Sequence, residues 1–423
     1  MRITRILGPG IMMAMTCIGA SHIILAPAAG AEFGYALLWA VFFAHIFKYP
    51  AFEFAPRYSV ATGQSLLQGY LRIPGPKSWA FHLLLILTII AGISAITGIL
   101  SVCAAIAYAG FQGISLPFWA LIICTVTIIL LIVGRYKMIE NINKIMLTIL
   151  MFGTLITFIA APPDAVFLPH LIKPEIPPGS TLLVAALIGW MPGDLAISVM
   201  HSLWALEKRK EWRKDAKLKR EGKEEIREEM MKSAMLDTRI GYMITLVTGL
   251  IFLMLGATVL MPRGLVPEGA EVAMTLSRIY TEILGSWIYP VFLMTAFFVM
   301  FSTAYNAMDG ASRAFGSGIM LFTHNYSNER EKKLYLAFLV VIYVFSVLLI
   351  FLFQRPVMLV SLAAAVGLIS SPFVYILNFY CVKKHVPSEM QPSKITTLLS
   401  ILGIGFLFFC IFYFLILPLL SNI

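Results

Sequence analysis

Charge is what this 423-residue chain has least of: 13% of its residues are Asp, Glu, Lys or Arg, against 59% hydrophobic. A soluble globular protein carries about a quarter charged residues, so this chain cannot clothe itself in a polar surface, and its mean hydropathy of +0.86 agrees. No block of the chain is polar enough to form a separate soluble domain. Cysteine is scarce as well. The five, Cys17, Cys103, Cys124, Cys381 and Cys410, stand in apolar stretches without a CxxC spacing, which argues against a disulfide framework and a zinc site. No Walker motif is present, which argues against ATP-driven pumping and a nucleotide partner. Alternating ten-residue apolar segments are missing too, so a membrane β-barrel is excluded. The expectation is a transport protein rather than an enzyme, with no resident cofactor.

What is abundant is long apolar sequence. Eleven segments reach the roughly 20 apolar residues that a bilayer-spanning helix needs: approximately 9–33, 36–60, 79–109, 117–134, 142–161, 181–206, 240–261, 284–308, 334–353, 356–380 and 396–418. The first begins after Arg2 and Arg5 but is broken early by Pro9 and runs on to Phe33, so it reads as a retained span and not as a cleaved leader. Cationic residues cluster on one side of these spans. With the N-terminus inside, 26 of the 32 Lys and Arg fall on the inner side, twelve of them between Lys208 and Arg239. This bias predicts a multi-pass protein of the cell membrane with a cytoplasmic N-terminus and an outward C-terminus. The net charge of +10 is then a topology signal, not a nucleic-acid footprint. The segment 207–239 mixes both signs with many pairs four apart and reads as a solvated helical connector.

Two spans carry helix breakers at mid-length. In the first, Gly19, Ala20 and Ser21 precede Pro27; in the sixth, Pro192 and Gly193 stand at the centre of LLVAALIGWMPGDLAISVMHSLW. Proline inside a helix removes one backbone hydrogen bond and clashes with a carbonyl, and unpaired backbone at bilayer depth survives only in protein or beside a polar cavity. The breaks are five spans apart. That offset predicts two inverted repeats, 1–161 and 181–380, with 396–418 as an extra eleventh helix, and interrupted segments at matching positions mark a transporter's substrate site. The predicted unwound stretches are 19–22 and 191–194, side by side.

The run GPGIMMAMTCIGASHIILAPAAGAEFGYALLW, Gly8 to Trp39, and the run KYPAFEFAPRYSVATGQSLLQGY, Lys48 to Tyr70, resemble the first two spans of the NRAMP (natural resistance-associated macrophage protein) divalent-metal transporters. The resemblance implies a LeuT-type 5+5 inverted-repeat fold and alternating access. The departures are specific. Where those transporters carry Asp-Pro-Gly-Asn, this chain has Gly19, Ala20, Ser21 and His22; where they carry Met-Pro-His, it has Met191, Pro192 and Gly193, followed by Asp194. The metal-binding carboxylate is gone, and the third span contains no acidic residue.

Without that carboxylate, compensation for a divalent ion is poor. A helix restarting after the first break offers free N–H groups and the positive end of its dipole, with Ser21 and His22 as side-chain donors. The expected substrate is a small inorganic anion, bicarbonate first, and an NRAMP-related branch that carries bicarbonate is similar in lacking the aspartate. The alternative is a divalent cation (manganese, iron or magnesium) carried in the ordinary NRAMP manner. Asp194 either borders the substrate or caps the second half of helix six, and His22 is either a donor or a satisfied core histidine. His201 lines an inner vestibule or bonds across helices. Glu32, Lys48, Glu53 and Arg57 are expected to pair among themselves as structural ties. In LeuT-type sodium symporters adjacent hydroxyls on the eighth span hold sodium with first-span carbonyls; Ser302 and Thr303 resemble that pair, so sodium is an expected coupling ion, with a proton as the other choice.

Overall fold

In the computed structural model, which describes residues 8–76, 78–134, 136–219, 223–323 and 327–421, the described residues fold into helices joined by short turns. The first span is two helices, α1 (Pro9–Cys17) and α2 (Ser21–Phe33), bent by 46°. The second is α3 (Leu38–Thr62), and α4 (Trp79–Gly110), α5 (Leu116–Val133) and α6 (Tyr136–Ala160) complete the first half. The sixth span again is two helices, α7 (Thr181–Trp190) and α8 (Ile197–Lys219). Then follow α9 (Lys223–Leu255), α10 (Ile288–Thr323), α11 (Asn328–Phe353), α12 (Pro356–His385) and α13 (Lys394–Ile411).

All eleven predicted spans fall on these helices. Among the described residues, seven helices are long and apolar enough to cross a membrane on their own, and the bent pair α1–α2 makes an eighth. The other three predicted spans fall short of that criterion for visible reasons. Segment 36–60 carries Lys48, Glu53 and Arg57, 181–206 is divided by the second break, and in 142–161 the apolar stretch is shorter. The charged segment 207–239 is helical where described, prolonging α8 and opening α9, with the (i, i+4) pair Glu228–Lys232 at 2.8 Å.

Helix ends follow local chemistry. Proline occupies the first turn of α1, α5 and α12, where its missing N–H costs nothing. Gly63 (φ 75°) and Gly134 (φ 75°) close α3 and α5 in the left-handed region. The faces turned outward are apolar, with Ile395, Leu398, Ile401, Phe409 and Leu419 of the last span all exposed, as lipid requires.

Inside, the helices approach by backbone contact. A Cβ added to Gly10 would stand 2.2 Å from the Asp237 carbonyl oxygen, and one on Gly241 2.1 Å from that of Gly10. Gly256 and Pro27 meet in the same way at 2.2 Å. Small residues that permit such crossings replace the hydrophobic drive that lipid does not supply. They seat α1 and α2 along α9. Many hydroxyls of the bundle bond to carbonyls of their own helices, as Thr154 and Thr303 do, which satisfies them without a partner helix.

Candidate functional site

The first break is shorter than the sequence suggests. Only Ile18 and Gly19 leave the helix; the backbone N–H groups of His22 and Ile23 both donate to the Gly19 carbonyl at 3.0 Å, and Ser21–Leu25 continues as a π-helical turn. Small side chains at 19 and 20 let the chain re-enter a wide turn at once. The second break is longer than 191–194. Helix α7 stops at Trp190, the Met191–Pro192 peptide is cis, and α8 resumes at Ile197. Asp194 acts there as a cap, its Oδ1 accepting from the Ala196 N–H at 2.8 Å.

The two breaks are neighbours. A Cβ on Gly193 would stand 2.8 Å from Cys17 Sγ, and one on Gly249 of α9 would touch both Met191 Sδ (3.3 Å) and His22 Cδ2 (3.6 Å). Gly19, Ala20, Ser21, His22, Met191, Pro192 and Gly193 are all buried, and Asp194 alone is partly exposed. Asp194 Oδ2 lies with the Trp190 indole against Gly367 of α12, where a Cβ would stand 2.8 Å from each. The site is therefore closed by side chains, with the Asp194 carboxylate at its edge.

The side chains expected as free donors are engaged in this conformation. His22 Nε2 is 3.1 Å from the Thr245 carbonyl oxygen, and Ser21 Oγ is 3.0 Å from His22 Nδ1. A carbonyl only accepts, so Nε2 carries the proton; in the neutral ring Nδ1 then accepts from the Ser21 hydroxyl. Among the described residues, no three His, Cys, Asp or Glu side chains converge as a metal would require. On α10 the hydroxyls of Ser302 and Thr303 bond to the Val299 carbonyl at 3.5 and 2.8 Å, and Thr303 faces the first break, its Cγ2 standing 3.5 Å from where a Gly19 Cβ would lie.

Sequence reasoning missed Lys48. It does not join the expected cluster of ties: Glu53 and Arg57 pair with each other at 2.5 Å, and Glu32 is exposed. Lys48 is fully buried, and its Nζ donates to the Gly189 carbonyl at 2.7 Å and to that of Gly193 at 3.5 Å. The Gly189 carbonyl is one of the orphan acceptors at the C-terminal, partially negative end of α7, and that of Gly193 belongs to the break that follows. A lysine at mid-span was the visible signal; its partner, 141 residues on, was not.

Below the breaks, Asp237 of α9 accepts from the backbone N–H groups of Gly8 (3.0 Å) and Gly10 (2.6 Å), closing the N-terminus of α1. His201 of α8 lies beside it, fully buried, in a small space shared with Pro9, Pro56 and Asp237; neither ring nitrogen finds a hydrogen-bond partner among the described residues.

With this geometry, residues 10–417 match the family described as natural resistance-associated macrophage protein-like. The chain belongs to the Nramp family and is a multi-pass membrane transport protein. Its similarity to curated proteins is moderate. It is 29% identical over 323 residues to the uncharacterised protein PM0681 of Pasteurella multocida, covering 73% of this chain and 69% of that one. It is also 29% identical over 188 residues to the divalent metal cation transporter MntH of Chromohalobacter salexigens, covering 43% and 42% of the two chains. The Eremococcus coleocola manganese transporter, solved in complex with an aromatic bis-isothiourea compound, superposes with a TM-score of 0.71 at 14% identity over 96% of this chain and 85% of that one. MhsT in complex with L-phenylalanine follows at a TM-score of 0.57 and 13% identity over 95% and 98%. The fold is thus the LeuT-type arrangement.

Proposed function

We propose that this chain is a secondary transporter that moves a small inorganic anion by alternating access, with bicarbonate as the substrate to test first. The substrate rests at the paired breaks, between Gly19–His22 and Met191–Asp194. The observation that carries this reading is the charge at the breaks. The position of the Nramp metal carboxylate is Gly19, His22 is tied to Ser21 and Thr245, and no cluster of three metal-ligating side chains forms among the described residues. A divalent ion stripped of water would find too few donors there to repay its dehydration. An anion would find the start of α2 and, once the break opens, the Ser21 hydroxyl and the His22 ring. Sodium is the proposed coupling ion, held by Ser302 and Thr303 with carbonyls of the first break; Thr303 already faces Gly19. The cationic bias supports an N-terminus on the cytoplasmic side.

A second reading, divalent-cation transport, is supported by the relatives: MntH carries that description, and the Eremococcus coleocola protein is a manganese transporter. Calorimetry separates the two. The purified protein is expected to show no high-affinity heat of binding for manganese or cadmium. Micromolar manganese binding that Met191→Ala abolishes would establish the cation reading instead.

A further inference from the structure

A buried lysine sits where the two broken helices meet. Lys48 comes from the middle of α3, is fully buried, and spends its hydrogen bonds on the helix-six break, at Gly189 and Gly193. Gly193, one of those two partners, abuts Cys17 at the first break, so Nζ lies at the seam between the breaks. An ammonium has three N–H donors and no acceptor. Two are accounted for by the carbonyls, the second of them long. Among the described residues Lys48 and Asp194 make no ion pair within 4.0 Å. A charge held inside a membrane protein is expensive and marks function. Here that charge has one short carbonyl bond, one long one and no contacting carboxylate.

We infer that Lys48 is the site's resident cation and the residue that selects for negative charge: its remaining N–H binds the transported oxyanion when the breaks open, while the Gly189 and Gly193 carbonyls hold it in place. The inference deepens the anion reading above and rests on it. It supplies what the breaks alone lack. Ser21 and His22 contribute neutral donors, whereas Lys48 in its protonated form contributes a positive charge and a charge-assisted hydrogen bond. The same ammonium keeps divalent cations out by repulsion at short range. It thus compounds the loss of the carboxylate at Gly19. Asp194, at the partly exposed edge, is placed to balance the ammonium when no anion is bound.

The test is initial uptake of labelled bicarbonate into liposomes containing the purified full-length protein, for the parent, Lys48→Arg and Lys48→Met, with thermal unfolding of each. Lys48→Arg keeps the charge and is expected to keep most of the apparent affinity. Lys48→Met keeps the length and is expected to raise KM about tenfold to a hundredfold, the loss of one charge-assisted hydrogen bond. A Lys48→Met protein with the parent's KM would overturn the inference. So would equal losses in Lys48→Arg and Lys48→Met at equal unfolding temperature, since shape and not charge would then matter. If Lys48→Met does not fold, the parent decides: bicarbonate is expected to slow modification of Lys48 by an amine-reactive reagent during turnover, read by peptide mass spectrometry, and unchanged labelling refutes the assignment. Failure of the parent to take up bicarbonate would refute the anion reading itself, whereas uptake that is indifferent to Lys48→Met would refute only the role of Lys48.

Discussion

Gly19 shows how one side chain sets the character of the site. In the transporters that this chain resembles, that position carries the carboxylate that meets the metal. Here it is a glycine facing the Thr303 methyl, and a Cβ would make only ordinary contact at 3.5 Å. Gly19→Asp is therefore expected to fold without a clash at its Cβ, with the buried carboxylate lowering the unfolding temperature, and to place a negative charge where the anion is proposed to sit. Bicarbonate uptake should fall steeply. Uptake equal to the parent's would show that the anion does not rest at this helix start. Neighbouring residues were less legible. Ser21 and His22 stood out in the sequence as donors, but their pairing with each other and with Thr245, 223 residues beyond His22, is a tertiary fact. Lys48 is visible in the sequence as a mid-span lysine, and Glu32, Glu53 and Arg57 are the partners the sequence offers it. Along α3 it points instead to α7, and no spacing along the chain announces a helix end as a partner.

The broken helices themselves were plain from composition. Gly19, and Pro192 with Gly193, weaken a regular helix, and both spans do break there. The lengths of the breaks were not legible. The first shrinks to Ile18 and Gly19 because a π turn accommodates Ser21–Leu25, and the second grows because Asp194 caps a helix that restarts only at Ile197. The short first break leaves α1 as a nine-residue helix that buries Met13, Ala14 and Cys17 in the bundle and is held at its start by Gly10 and Asp237. Since Asp237 closes the N-terminus of α1 through Gly8 and Gly10, Asp237→Ala is expected to loosen that helix by about 0.5–2 kcal/mol, the usual loss for a cap. Hydrogen exchange over residues 8–17 should quicken while α4 and α12 stay as protected as in the parent. Unchanged exchange in α1 would show that the glycine packing alone holds it.

For the whole molecule, the all-helical class and the paired breaks follow from hydropathy and helix breakers, because lipid leaves the backbone no alternative to helices, while the LeuT-type arrangement is implied by the resemblance of the first two spans. Substrate choice does not follow in the same way. The fold is shared with the Eremococcus coleocola manganese transporter and with MhsT, so it does not by itself choose the substrate, which is left to a few side chains. In the proposed reading those side chains are Gly19, in place of a carboxylate, and the buried Lys48. The direct measurement is uptake by the purified protein in liposomes, with labelled bicarbonate and manganese compared side by side under separate sodium and proton gradients. The account predicts bicarbonate accumulation driven by sodium and no accumulation of manganese. Manganese accumulation without bicarbonate uptake would contradict it.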